Sequence, residues 1–431
     1  MLRVANRLAL LVVGVLAFAA ASEAFAAPTA LAGGAPVRYV GVIDAGSSGS
    51  RIGLYETRGR GRRLRVEEIF LYNPNDAGGP GIKGLSSYVA APDRAGPDGI
   101  TPLLVALDGQ LAARGIPPSE VPVSTLATAG MRNVERDSPA AVTPIYASVR
   151  AAIETAGHPV GTVGTIPGRD EAVYAWTAVN ALSGAFRRDA PTAGIVEIGG
   201  ASAQVAFETA DRGADVEVLN VMGRRRRVLA VSYLGLGRND ARATMIAPDA
   251  PTTGSPCWPN NAAGVSPAAY ALGNKVAVAA STSSFDARRC ADVATAAIRT
   301  IVDRPENAGL TRPTSLRRVA GFRTSDFVGF GVTAEAFRTF GVELGEGAGR
   351  GLERPVRSAC TGPGAWSEVL ALHGGTDSSI SENACTNTTF MATWLLEREA
   401  LRIPPGNLDL RSTVGGRSVN WMLGYAVVSA S

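Results

Sequence analysis

The chain has 431 residues, 46% of them apolar and 19% charged, with a formal charge of +4. That composition is ordinary for a globular protein, excludes a collagen-like or low-complexity chain, and leaves room for two packed lobes. The mild basic excess is nearly all arginine and suits attraction of phosphorylated compounds; it does not build a nucleic-acid surface, because the densest run, Arg224 to Arg227, has no interleaved aromatics.

The N-terminus reads as a secretory leader. Arg3 and Arg7 precede an apolar run from Leu8 to Ala20, and Ala24-Phe25-Ala26 follows as a cleavage site after Ala26. The run is too short to span a bilayer, which takes roughly 20 residues. The expectation is therefore an exported protein, secreted or periplasmic, with no stable membrane anchor. Richness in arginine and alanine, with only Lys83 and Lys275 as lysines, points to a GC-rich, bacterial genome.

Arg38 to Ile43 alternates as a strand, Asp44-Ala45-Gly46-Ser47-Ser48-Gly49-Ser50-Arg51 interrupts it, and Ile52 to Thr57 resumes it: a hairpin with a long, small-residue tip. Val121 to Leu126 is a further strand ending in Ala127-Thr128-Ala129-Gly130. A helix over Pro139 to Ala156, a strand over Gly161 to Ile166 and a helix over Asp170 to Leu182 follow, the last with Val173, Trp176 and Val179 on one face. Gly194 to Ile198 is again a strand, broken by Gly199-Gly200-Ala201-Ser202 and resumed over Gln204 to Glu208. Val216–Met222 and Val228–Tyr233 read as a hairpin with Arg224 to Arg227 in its turn, and Asn420 to Ser429 as a terminal helix.

The strand–glycine loop–strand unit thus occurs twice, each time led by a carboxylate, Asp44 or Glu197, which indicates a duplicated architecture. Expected boundaries are a signal at 1–26, an N-terminal lobe at 27–184, a C-terminal lobe at 185–412, and a helix at 413–431 returning to the first lobe. Four cysteines, Cys257, Cys290, Cys360 and Cys385, lack zinc spacing and in an oxidising compartment read as disulfides. Of the three pairings, the sequence-local one, Cys257 with Cys290 and Cys360 with Cys385, is favoured. Asn387-Thr388-Thr389 is a glycosylation sequon.

Both loops are suited to phosphate. Consecutive backbone N–H groups and serine hydroxyls converge in a small volume, and Gly46, Gly49, Gly199 and Gly200 admit close approach. The expected phosphate-binding set is Gly46, Ser47, Ser48, Gly49, Ser50, Arg51, Gly199, Gly200 and Ala201. Carboxylates beside phosphates call for a divalent cation, held by Asp44 and Glu197 directly or through water. The two histidines, His158 and His373, sit in no motif, which disfavours a Ser-His-Asp triad or a phosphohistidine.

At these residues the sequence resembles the apyrase family, the nucleoside triphosphate diphosphohydrolases of the actin and sugar-kinase fold superfamily. Five motifs occur in order: Asp44 to Arg51, Ala127 to Arg132, Gly168 to Trp176, Glu197 to Gln204, and Trp421-Met422-Leu423-Gly424; Gly84 to Tyr88 and Ser232 to Gly237 also fit. The resemblance implies an α/β fold of two similar actin-like (ribonuclease H-like) lobes with the active-site cleft between them. It implies a nucleotide substrate, a Mg²⁺ or Ca²⁺ cofactor, Glu171 as general base, and Thr128, Ser202 and Gln204 as holders of the nucleophilic water. Position 197 is aspartate in the family and glutamate here, one methylene longer. The first motif lacks the His-Thr of cell-surface triphosphatases and is similar to that of soluble members. Two rival readings share the fold: an exopolyphosphatase or guanosine pentaphosphatase-like phosphohydrolase, and a nucleotide-binding protein without turnover. Base preference, triphosphate against diphosphate, and oligomeric state are not written in these motifs.

Overall fold

The computed structural model describes residues 36–74, 81–246, 256–258, 268–269, 274–275, 285–374 and 383–431. The leader expected over residues 1–26 lies outside them. Strand β1 (Val37–Ala45) turns into β2 (Ser50–Arg58), and β3 (Arg65–Tyr72) completes an antiparallel meander. The two strands that follow, β4 (Val123–Ala127) and β5 (Val160–Thr165), run parallel to β1, giving the order β3-β2-β1-β4-β5. Parallel strands need long connections. Helix α1 (Thr101–Ala112) lies in the one before β4, and α2 (Ala129–Asp137) and α3 (Val142–Thr155) in the one before β5. Helix α4 (Gly168–Leu182) leads out of this sheet.

The second sheet repeats the plan. Strands β6 (Gly194–Ile198), β7 (Ser202–Glu208), β8 (Val216–Val221) and β9 (Arg224–Leu234) are antiparallel; β10 (Phe327–Phe330) and β11 (Leu408–Arg411) join parallel to β6. The order is β11-β10-β6-β7-β9-β8, so β8 is an added edge on an otherwise matching five-strand pattern. Around it lie α5 (Arg238–Met245), α6 (Ala287–Val302), α7 (Val332–Thr339) and α8 (Ala384–Leu396); α9 (Trp421–Ala430) ends the chain.

Both faces of each sheet are covered, which is why β4 is buried at every residue and β6 at all but one, with no alternation between a wet and a dry side. Val42 faces one core and Ile43 another; Ile195 and Val196 divide in the same way. The central core joins Val42 and Tyr55 of the first sheet, Ile195 and Ala230 of the second, and Trp176 and Trp421 of helices α4 and α9. The α4–α9 pair therefore sits between the sheets. A helix with a sheet on either side has little wet face, and every residue of α4 from Glu171 to Val173 and from Ala175 to Asn180 is buried, not only the stripe at 173, 176 and 179. Gly424 makes the pairing possible: a Cβ there would lie 1.8 Å from the Tyr174 carbonyl oxygen.

Four details differ from the sequence reading. The first hairpin pairs as far as Asp44 with Arg51 and Ala45 with Ser50, so its tip is only Gly46 to Gly49. Helix α2 occupies Ala129–Asp137, a stretch to which the sequence assigns no element. Arg224 to Arg227 lie in β9, and the turn is Met222-Gly223; Arg224 is paired with Asp189, and Arg226 with Asp189 and Glu208. The sequon Asn387 falls inside α8, where its side-chain oxygen accepts from Arg242 at 2.9 Å; a helical, half-buried asparagine is a poor glycan acceptor. The cysteines pair as expected, Cys257 with Cys290 and Cys360 with Cys385.

Candidate active site

Asp44 is the penultimate residue of β1. Its cross-strand partner in β2 is Arg51, so the two side chains share a face, and Arg51 Nε and Nη2 both lie 2.9 Å from Asp44 Oδ2. Asp44 Oδ1 is buried without a hydrogen bond. Burial raises the Asp44 pKa and the Arg51 charge pulls it back. Arg51, expected on phosphate, is thus committed to the loop's own carboxylate.

The second loop has the same register. Glu197 pairs with Gln204 across β6 and β7, and Gln204 pairs with Ser232 of β9. Ser202 and Gln204, two apart on one strand, face the same side. The Gln204 amide donates to Ser202 Oγ at 2.6 Å, Ser232 Oγ at 3.0 Å and Glu171 Oε2 at 3.1 Å. No such cover reaches Glu197: its Oε2 is buried without a partner. Burial first, then repulsion from Glu171 and Asp44, pushes its pKa up to about 8.

The loops meet. A Cβ on Gly200 would lie 2.4 Å from Ser47 Oγ and 3.6 Å from Ser48 Oγ, so only glycine permits this approach. Gly200 of the second loop therefore stands against Ser47 and Ser48 of the first across the seam. Ser47 is buried, Ser48 is exposed, and Ser50 Oγ is buried without a partner.

Glu171 sits in the first turn of α4, which starts behind Pro167, and its backbone N–H donates to the Pro167 carbonyl. Its carboxylate is 7% exposed. Arg132 Nη2 and Gln204 Nε2 both donate to Oε2, leaving Oε1 without a protein hydrogen bond. Burial, opposed by Arg132 and reinforced by Asp44, raises the Glu171 pKa to about 7. Thr128 caps α2 and its N–H donates to the Ala45 carbonyl at 3.2 Å, which places it beside the first loop; its hydroxyl is not bonded to Glu171, Ser202 or Gln204.

Arg132 and Ser232 lie within motifs, and the sequence assigns neither a role. Arg132 spans the seam, from Glu171 to Ser202 at 3.4 Å and Ser232 at 3.2 Å. The available signal was helical spacing: Thr128 and Arg132 are four apart and share a face of α2. His158 is buried between the Val121 carbonyl and Asp108, and His373 packs edge-on against Phe340; neither is hydrogen-bonded to a serine.

Residues 34–431 match the GDA1/CD39 (nucleoside phosphatase) family. The chain belongs to that family. Among relatives of this GDA1/CD39 chain, a probable guanosine-diphosphatase of Aspergillus fumigatus is 32% identical over 231 residues, 48% of this chain and 44% of the relative. A nucleoside-diphosphatase of Caenorhabditis elegans is 28% identical over 259 residues, 52% and 45% of the two chains. Human ectonucleoside triphosphate diphosphohydrolase 2 is 29% identical over 238 residues, 52% and 46%. The chain thus spans less than half the length of these relatives. A solved nucleoside triphosphate hydrolase of Neospora caninum has the same fold, with a TM-score of 0.54 over 91% of this chain and 92% of that one, at 16% identity. The two-lobe, actin-like α/β architecture follows from that likeness.

No group of three or more His, Cys, Asp or Glu side chains suited to a metal occurs among the described residues. Two carboxylate oxygens, one on Asp44 and one on Glu197, are nonetheless buried and unbonded beside Glu171. That donor set fits a hard divalent cation completing its shell with water or substrate oxygens.

Proposed function

We propose that this chain hydrolyses the terminal phosphate of nucleoside di- or triphosphates by in-line attack of water, with Glu171 as general base. The observation that carries the reading is the Glu171 carboxylate: buried at the meeting point of two Gly/Ser loops, fixed through Oε2, and open at Oε1 to receive a proton. A pKa of about 7 matches that task, because a base must be ionised yet basic enough to take the proton. Phosphoryl transfer is catalysed chiefly by positioning and charge stabilisation. Backbone amides of Gly46 to Gly49 and Gly199 to Ala201, with the hydroxyls of Ser47, Ser48 and Ser50, would cradle the terminal phosphates. Ser202, Gln204 and Thr128 would hold the water, and Arg132 sets the direction of the carboxylate. Asp44 and Glu197 would hold Mg²⁺ or Ca²⁺, which when bound neutralises phosphate charge.

The substrate class is supported by the space next to the loops and by the names of the relatives. A cavity of 610 Å³ runs from Arg51 after the first loop and Arg238 after the second to Val332, Phe340 and Met391. Apolar side chains beyond two cations suit a nucleoside better than a bare polyphosphate chain. Division of the lobes at 184/185 and export after Ala26 belong to the same proposal. The test is phosphate release from ADP, GDP, ATP and polyphosphate, with and without EDTA. Release from nucleotides that EDTA abolishes is expected; release from polyphosphate alone would favour the rival phosphohydrolase, and nucleotide binding without release the non-catalytic one.

A further inference from the structure

We infer that the chain carries a second anion site, built for a phosphate group and separate from the cleft, between the 317–323 segment and the link from α8 to β11. Its rim is Arg317, Arg323 and Arg402, and its floor is Phe322, Leu396 and Ile403, around a cavity of 450 Å³. None of these residues lines the cavity beside the loops.

The rim is arranged, not merely crowded. Arg317 Nε donates to the Thr314 carbonyl at 3.2 Å, and Arg323 Nε to the Arg317 carbonyl at 3.3 Å. Both guanidinium stems are thereby tied, with the outer nitrogens left over. Arg402 stands at φ +51°, a conformation that β-carbon residues rarely take and that the surrounding packing must impose. Arg398 lies close enough for its charge to act on Arg317. Among the described residues, none of these four arginines has a carboxylate within ion-pair distance; Glu399, whose charge also acts on Arg317, is paired with Arg299 at 3.2 Å.

The other arginine group shows what neutrality looks like here. Arg224 and Arg226 are paired with Asp189 and Glu208. At the cavity like charges are gathered over an apolar floor instead, and burial together with Arg402, Arg323 and Arg398, only partly opposed by Glu399, holds the Arg317 pKa below its usual value. An anion relieves that repulsion. Planar guanidinium groups match phosphate oxygens in pairs, so phosphate is the chemistry selected.

The experiment measures binding to the full chain in EDTA of inorganic pyrophosphate, by calorimetry, and of phosphatidylglycerol against phosphatidylcholine vesicles, by flotation. Each is read for the natural protein and for the Arg323→Gln/Arg402→Gly variant, glycine being at ease at positive φ. Loss of two charge-assisted contacts should weaken one probe about tenfold or more, while phosphate release from nucleotides and the melting temperature stay unchanged. Sensitivity confined to pyrophosphate identifies a soluble phosphate, and sensitivity confined to phosphatidylglycerol a lipid headgroup. Arg317→Gln, which disturbs no strained backbone, gives an independent second measurement. Equal binding of both probes by natural and variant proteins, or binding of neither, overturns the inference. The outcome does not depend on the fate of Glu171, so failure here is distinct from failure of the proposed hydrolysis.

Discussion

Asp44 and Glu197 occupy matching places in the two halves of the chain: each is the penultimate residue of a strand, leads a Gly/Ser turn, and faces a residue seven positions on across its hairpin. That partner is Arg51 in the first half and Gln204 in the second. Arg51 turns back onto Asp44 and cancels its charge within the loop. Gln204 turns away from Glu197 and spends its amide on Glu171, Ser202 and Ser232. One loop is balanced internally; its counterpart holds Glu171 and leaves its own carboxylate unpaired. The difference shows how a duplicated scaffold separates tasks by one substitution in register, and why a carboxyl group without a counter-charge is left at the seam.

The largest effect should come from the group the second loop supports. Glu171→Gln is expected to lose about 10²–10⁴ in kcat for phosphate release with the melting temperature retained; near-normal turnover would remove Glu171 from the mechanism. Next, the paired and unpaired carboxylates should respond oppositely in stability. Asp44→Asn leaves Arg51 without its partner and should cost about 2 kcal/mol in chemical denaturation, less than for a fully buried pair because Arg51 remains partly solvated. Glu197→Gln removes an unpaired buried acid and should leave stability equal or higher. Equal losses in the two variants would erase the distinction between the loops.

pH sharpens the same contrast. In the rate, Glu171 must be ionised, so kcat should rise with pH and level off above about 7. In stability the sign is reversed. A carboxyl whose folded pKa is raised holds its proton more tightly in the folded chain. Its stabilisation is complete below the unfolded value of about 4.5 and is lost as pH rises through about 7 for Glu171 and about 8 for Glu197. The melting temperature of cation-free protein should therefore fall across that window. Glu197→Gln should flatten the fall, and Mg²⁺ or Ca²⁺ should reverse it; a flat profile in the natural protein would contradict the unpaired state of Glu197. The smallest effect is expected for Ser232→Ala, which removes one of three acceptors of the Gln204 amide and should slow turnover by about tenfold or less.

Much of this arrangement could be read along the chain. Both hairpins, the α4 helix, the terminal helix and the disulfide pairs carry local signals: period-two alternation into glycine clusters, a helical stripe, and an even number of cysteines paired with their neighbours in the chain. Where the reading erred, a local rule met a non-local demand. Arg224 to Arg227 resemble a solvated turn until Asp189 and Glu208 come alongside. Asn387 is a sequon by pattern, but α8 holds it half-buried against Arg242. Helix α2 is short and follows a strand end, so its own periodicity is weak.

Sequence alone settled that two carboxylate-led glycine loops exist, that Glu171 follows a helix start between them, and that five motifs occur in family order, because turn chemistry and strand patterning are properties of neighbours in the chain. Tertiary structure decided which charges are cancelled. Nothing local says that Arg51 will close on Asp44 while Gln204 deserts Glu197, that Arg132 will bridge the seam to Ser202 and Ser232, or that Arg317, Arg323 and Arg402 will gather unpaired over one apolar floor. Electrostatic energy depends on distance and burial between groups far apart in sequence, and only the packed fold sets both.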